Sequence, residues 1–266
     1  MNGANTSRAK TRRKGGLLAG GTPEDRLLIV WLPVLVALVV DGWLVWRMTA
    51  DLGAIETRTL AWKAMGQMLL QHLLIVAVSS VVVLGLAIPI GIALTRDHPV
   101  ARACRGPAMA IANTGQSAPV VGVIVLLAMW LGFGLPAAVA SLSLYAFLPV
   151  LANTIEGLLG VDPVLVEAAR GMSMSPWQVL TRVELPLAVP VIMAGARTAL
   201  VLLVGTAAFA AFIDAGGLGS LIQTGIMLYR FPILVTGALA IAVLALVVEW
   251  LGRIVQVALI PKGVSQ

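Results

Sequence analysis

The chain has 266 residues, of which 59% are hydrophobic and only 11% charged. Soluble domains carry about 25% charged residues, so this composition excludes an ordinary soluble globular protein. A net charge of +6 would suggest nucleic acid in a soluble chain, but here the basic residues serve to orient membrane helices, and no nucleic-acid partner is expected. A spanning helix needs about 20 mostly apolar residues. Several runs qualify, and they are continuous rather than alternating, which excludes a β-barrel. The expected fold is therefore an all-α membrane protein with about six transmembrane helices. The single cysteine, Cys104, allows no internal disulfide, has no metal-ligand spacing around it, and reads as a small buried or interfacial residue.

In chain order, residues 1–26 form a basic, Gly-rich arm carrying Arg8, Lys10, Arg12, Arg13 and Lys14. Residues 27–60 hold a first apolar run, Leu27 to Trp46, and a loop. The run is too long for a signal-peptide core and has no small-residue cleavage site behind it, so it reads as a retained anchor. Residues 61–261 contain the remaining runs: Met68 to Thr95, Met109 to Phe133, Leu135 to Ile155, Leu187 to Ile213 and Pro232 to Ile260. Residues 262–266 are a short tail. An N-terminus in the cytoplasm places Arg96, Arg102, Arg105, Arg170, Arg182, Arg253 and Lys262 on that same side, leaving Arg47, Arg58, Lys63 and Arg230 opposite. That asymmetry predicts six spans with both termini cytoplasmic.

One segment, roughly 157–186, is too polar to cross a lipid core. Its centre reads EAARGMSMSPWQVLTRVELP, Glu167 to Pro186. Asp162-Pro163 is a helix start, an aspartate cap followed by proline at the first helical position. Val164, Leu165, Ala168 and Met172 then share a face, with Glu167 and Arg170 pointing elsewhere. Ser175-Pro176-Trp177-Gln178 starts a second helix with a capping box. Pro186 is expected to end that helix or bend it into the next span. The product is a cytoplasmic elbow of two short helices with Met172, Met174 and Trp177 near its bend. A helical surface loop is the plain reading; exposed Met and Trp at a bend favour docking into a groove on another protein.

The segment resembles the "EAA" loop of type I ABC-importer permeases, whose pattern is Glu-Ala-Ala, a Gly four residues after the second Ala, and a later Ile-x-Leu-Pro. Glu167, Ala168 and Ala169 match its start, and Val183, Leu185 and Pro186 its end, at the correct spacing. The glycine position is held by Ser173. The wording of VDPVLVEAARGMSMSPWQVLTRVELPLAVPVI, of LYAFLPVLANTIEGL upstream and of GTAAFAAFIDAGGLG downstream is most similar to permeases for glycine betaine, choline and related osmoprotectants. The resemblance covers roughly Gln67 to Pro261 and leaves out the first span. It implies that the elbow couples to a cytoplasmic ATPase through Glu167, Ala168, Ala169, Gly171, Met172, Ser173, Met174 and Trp177. It also implies a second permease copy or paralogue, an extracytoplasmic binding protein, and ATP and Mg on the ATPase partner. No cofactor is expected on this chain, which has no phosphate-binding Gly-x4-Gly-Lys-Ser/Thr loop.

Other residues carry further expectations. His72 and His98, the only histidines, lack the His-Glu-x-x-His arrangement of an intramembrane metalloprotease. His72 reads as interfacial, at the mouth of its span, and His98 as part of the basic turn. In ANTGQSAPVVG, Asn113, Thr114, Gln116 and Ser117 stand at or inside the third span, interrupted by Gly115 and Pro119. They line the translocation path or bond to neighbouring helices, and both readings stay open. Tyr145 offers a ring face to a cationic substrate. With 5% aromatics no full aromatic cage is expected, and tight capture falls to the separate binding protein. Asp214, Gly216, Gly217 and Gly219 lie in DAGGLGS, a turn similar to the family's re-entrant turn: a gate, or simply a turn. Asp41 and Arg197 are the intramembrane charges. Asp41 pairs with a neighbouring helix or marks the outer end of its span, and Arg197 is structural, snorkelling to the cytoplasmic side.

Overall fold

The structure, a computed structural model, describes residues 23–259; the basic arm through residue 22 and the tail 262–266 lie outside the described residues. Every element in this range is helical. Five stretches are long and apolar enough to cross a bilayer: α1 (Pro23–Thr49), α3 (Trp62–Thr95), α6 (Leu135–Leu159), the run Pro176–Ile213, and α11 (Phe231–Leu259). Their positions follow the apolar runs closely. Short helices α2 (Ala54–Thr59) and α10 (Gly219–Met227) were not expected, because pieces this short leave little periodicity to read.

The third run departs from a single straight span. It divides into α4 (Pro99–Ser117) and α5 (Val120–Leu131), bent by 100° at the break. Pro119 has no N–H to donate and forces the residue before it out of the helical region: Ala118 sits at φ −69°, ψ 145°. At 12 residues, α5 is roughly 18 Å long and cannot span a hydrocarbon core of about 30 Å by itself. Cys104 is exposed on α4 rather than buried.

The core forms where α3, α6 and α9 (Leu185–Thr206) meet, with Ile75, Val83, Leu142, Leu151 and Leu203 fully or almost fully buried. Between membrane helices no hydrophobic gradient drives association, so close contact of small residues must do so. Gly195 of α9 lies so near α6 that a methyl group there would stand 2.5 Å from Asn153 Cβ and 2.6 Å from the Pro149 carbonyl. Gly91 of α3 meets Thr154 in the same way, at 2.6 Å from its Cγ2. The charge of Arg197 is met by pairing, not by snorkelling alone: Nε lies 3.5 Å from Glu249 Oε2, and Arg253 Nε lies 3.0 Å from Glu249 Oε1. A structural role was expected for Arg197; its partner on α11 was not. Asp41 is exposed on α1 and makes no ion pair among the described residues.

Gly195→Ala should lower stability by about 1–3 kcal/mol through overpacking, read as a drop in the thermal midpoint of the detergent-purified chain. Gly85, exposed on α3 with open space around it, should accept alanine without loss. Equal midpoints for the two variants would contradict the close α6–α9 crossing.

Candidate functional site

The polar segment folds as the elbow its sequence predicts. Asp162 Oδ1 accepts from the Val164 N–H at 2.9 Å and caps α7 (Pro163–Gly171), with Pro163 in its first turn. The helix ends in a Schellman turn: the Ser173 N–H donates to the Arg170 carbonyl at 3.0 Å, and the Met174 N–H to the Ala169 carbonyl at 3.3 Å. That motif requires a left-handed residue, and Ser173 supplies it with φ 61°. The absence of the family glycine therefore leaves the bend intact but places a β-carbon where it costs energy. Ser175 then caps α8 (Pro176–Val179) with both bonds of the capping box: its hydroxyl accepts from the Gln178 N–H at 3.3 Å, and its own N–H donates to Gln178 Oε1 at 2.9 Å.

Pro186 does not end the second helix. A π-helical turn, Leu180–Glu184, joins α8 directly to α9, and the Leu185 N–H bonds back to the Leu180 carbonyl. Widening by one residue lets the chain accommodate a proline two positions into α9 without breaking the rod. The second helix of the elbow and the fifth apolar run are thus one continuous helical body from Pro176 to Ile213.

Two ion pairs, neither anticipated, tie the polar segment to the chain just after α3, one from the π turn and one from α7. Arg96 Nη2 lies 2.7 Å from Glu184 Oε2, and Arg96 is itself held by the Ile92 carbonyl at 3.2 Å and Thr95 Oγ1 at 3.0 Å. Arg170 Nη2 reaches Asp97 Oδ2 at 3.1 Å. The second pair is exposed and contributes about 0–1 kcal/mol; the first is part-buried, with Glu184 nearly covered. Beneath the elbow, Leu158, Val161, Leu180, Ala188 and Ile192 form a separate apolar cluster. Ala169 is buried on that side.

The opposite side is bare. Val164 is 68% exposed, Leu165 46%, Met172 71% and Trp177 70%. Glu167, Ala168, Gly171 and Ser173 are exposed with them, and Met174 is half-buried. The elbow therefore presents an apolar patch, edged by a carboxylate, on a segment too polar for lipid. Such a patch marks an interaction site.

The other candidates are more scattered. Asn113, Thr114 and Ser117 are exposed and Gln116 half-buried in the last turns of α4, directly before the bend. The Thr114 and Ser117 hydroxyls donate within their own helix, to the carbonyls of Ala110 and Asn113, both at 2.9 Å. Tyr145 is half-buried on α6. None of Asn113, Gln116, Ser117 and Tyr145 lines the groove of about 360 Å³ between α3, α4 and α6.

The Gly-rich turn is firmly seated. Asp214 is left-handed at φ 59°, as are Gly216 and Gly217 at 78° and 91°. The Gly217 N–H donates to Gln71 Oε1 at 3.1 Å, and a β-carbon on Gly219 would overlap the Ala208 carbonyl. His72, expected at an interface, is fully buried beside this turn, with Nε2 3.0 Å from the Val204 carbonyl. An apolar run alone gives no sign of which turn its histidine will meet.

Relief of the left-handed serine is measurable. Ser173→Gly should stabilise the elbow by up to about 1 kcal/mol, and Ser173→Val should destabilise it. Limited proteolysis of the elbow should slow in the first variant and accelerate in the second; the reverse order would mean that the left-handed turn does not form.

Comparison with known proteins places this geometry. A family model described as "Binding-protein-dependent transport system inner membrane component" matches residues 87–260. The chain is 39% identical over 197 residues to the carnitine transport permease protein OpuCB of Listeria monocytogenes, covering 74% of this chain and 88% of that one. It is 35% identical to the glycine betaine/carnitine/choline transport system permease protein OpuCB of Bacillus subtilis, over 73% of this chain and 88% of the other. Among solved structures, an inward-facing form of the MetNI methionine ABC transporter superposes with a TM-score of 0.66 at 26% identity, covering 73% of this chain and 95% of that one. The chain belongs to the family of binding-protein-dependent transport system inner membrane components, and is a multi-pass ABC-transporter permease of the bacterial inner membrane.

Proposed function

We propose that the chain forms one half of the pathway of an ATP-driven importer for a quaternary ammonium compatible solute, such as glycine betaine, choline or carnitine. The carrying observation is the elbow: exposed apolar side chains, among them Trp177 on the helix that runs on into the fifth apolar run. Relatives named for carnitine, choline and glycine betaine support the cargo class at 35–39% identity. The likeness to a methionine transporter, at 26% identity, is the support for an amino-acid cargo, and it is the weaker of the two.

In this reading Val164, Leu165, Glu167, Met172 and Trp177 seat in a cleft of a cytoplasmic ATPase, which binds ATP and Mg. The asymmetry of basic residues supports a cytoplasmic location for the elbow and for both termini. A second permease copy or paralogue completes the pathway, and an extracytoplasmic binding protein delivers the solute. Closure of the ATPase dimer displaces the elbow, and α9 and α6 rock with it between discrete packed states. Asn113, Gln116, Ser117 and Tyr145 are proposed to face the pathway between the two halves. The turn at Asp214, Gly216, Gly217 and Gly219 closes one end of it.

Glu167→Lys and Trp177→Ala should uncouple the assembled transporter without unfolding it. A central aromatic anchor at an interface carries about 2 kcal/mol or more, whereas an exposed elbow residue adds little to packing in the bilayer. Membrane insertion and dimerisation should survive, while transport and the stimulation of ATP hydrolysis by loaded binding protein fall together. A double variant transporting at the wild-type rate would refute the coupling role.

A further inference from the structure

A cavity of about 410 Å³ lies between α1, α3 and α11, and the transport reading makes no use of it. Its size falls within the range of ligand pockets, about 300–1,000 Å³. Val40 and Trp43 of α1, Trp62 and Leu69 of α3, and Leu239 and Val243 of α11 are among the side chains that line it. The lining contains one hydroxyl, Thr236, and that is already engaged: it accepts from Trp43 Nε1 at 3.1 Å and donates to the Pro232 carbonyl at 2.8 Å. Apart from that hydroxyl and the indole N–H groups of Trp43 and Trp62, the lining side chains are apolar. The cavity suits hydrocarbon.

At one end stands a charge without a counter-ion. The Arg47 guanidinium lies 4.7 Å from the centre of the Trp62 ring and 5.6 Å from that of Trp43, the two indoles meeting edge to face. Its Nη1 is buried with no hydrogen-bond partner, and no acid among the described residues pairs with it. The rings already face a cation, which disfavours a second one, such as a quaternary ammonium, on the same faces. Along α11 the lining runs from Thr236 to Val247, roughly 16 Å at 1.5 Å per residue. One leaflet of a bilayer core of about 30 Å has nearly that depth.

We infer that this cavity is a binding site for an anionic phospholipid, with an acyl chain between α1, α3 and α11 and its phosphate at Arg47. The site uses α1, which precedes the region matched by the family model. An unpaired guanidinium at the edge of a lipid-depth apolar slot is satisfied by a phosphate, with which arginine forms charge-assisted bonds. The acyl chain would fill the space left between α1, α3 and α11 beside the direct α1–α11 contact.

The test is lipid retained by the full chain purified in mild detergent from membranes containing phosphatidylglycerol and phosphatidylethanolamine, quantified by mass spectrometry. Wild type should retain phosphatidylglycerol in preference to phosphatidylethanolamine. Arg47→Gln should reduce that retention about tenfold, the equivalent of one charge-assisted hydrogen bond. Arg47→Lys should keep most of it, and Arg58→Gln, an exposed basic residue nearby in sequence, should change nothing. Ala240→Leu, which fills the slot while leaving Arg47 in place, should also release the lipid. Size-exclusion profiles identify any variant that is misfolded, and the Lys and Leu variants carry the test if Gln fails. Equal retention in wild type, Arg47→Gln and Ala240→Leu would overturn the site. So would wild type without retained lipid, as expected if another protein helix occupies the slot, or equal retention of the two lipids.

Discussion

The Arg96–Glu184 ion pair holds together two parts of the chain that live in different solvents. Glu184 lies in the π-helical turn between the elbow and α9, and Arg96 at the end of α3. An elbow that must stay in water can move helices that must stay in lipid only if the two form one mechanical body. Three features meet that condition: the unbroken helical path from Pro176 to Ile213, the apolar cluster under the elbow, and this clamp. Removing Arg96 would strand the nearly buried Glu184 carboxylate, a larger penalty than loss of the exposed Arg170–Asp97 pair. The π turn has a matching role, because an ordinary α-helical register would meet Pro186 with a lost bond and a clash.

Beyond the elbow, stiffness passes through small residues. Gly195 against Asn153 and Pro149, and Gly91 against Thr154, let three helix backbones approach within a methyl group. Interfaces that tight shift as units rather than deform. At the far end of the same rod, a 3₁₀ turn (Ala207–Ile213) leads into the Gly-rich turn pinned by Gln71 and His72. A push at Trp177 therefore has a continuous packed route to the turn at Gly217. The Arg197–Glu249–Arg253 cluster fastens α11 to this rod as well.

Much of this was legible in the residues. Continuous apolar runs located α1, α6 and α11 to within a few residues, because length and hydropathy are dictated by the bilayer alone. The caps at Asp162 and Ser175 were legible because they depend on local chemistry. Contacts between distant parts of the chain were not. Arg96 and Glu184 are 88 positions apart, and one sequence carries no signal of their meeting. His72 was misplaced for the same reason, since its partner Val204 lies 132 positions away. Of the two outcomes left open at Pro186, the helix takes the one that runs on into the next span, through a π turn that has no sequence signature; the third span was misread because one proline decided its geometry.

The clamp offers the most direct test of the claim that elbow and spans move as one body. Transport and ATP hydrolysis would be measured together, in reconstituted transporter, for Arg96→Glu, Glu184→Arg and the double exchange, with membrane insertion monitored throughout. Each single variant should insert and bind its ATPase yet hydrolyse ATP without proportionate transport. The double exchange, which restores opposite charges across the same gap, should recover much of the coupling. Single variants that transport as much solute per ATP as wild type would contradict the account, because the elbow would then drive the helices without being clamped to them.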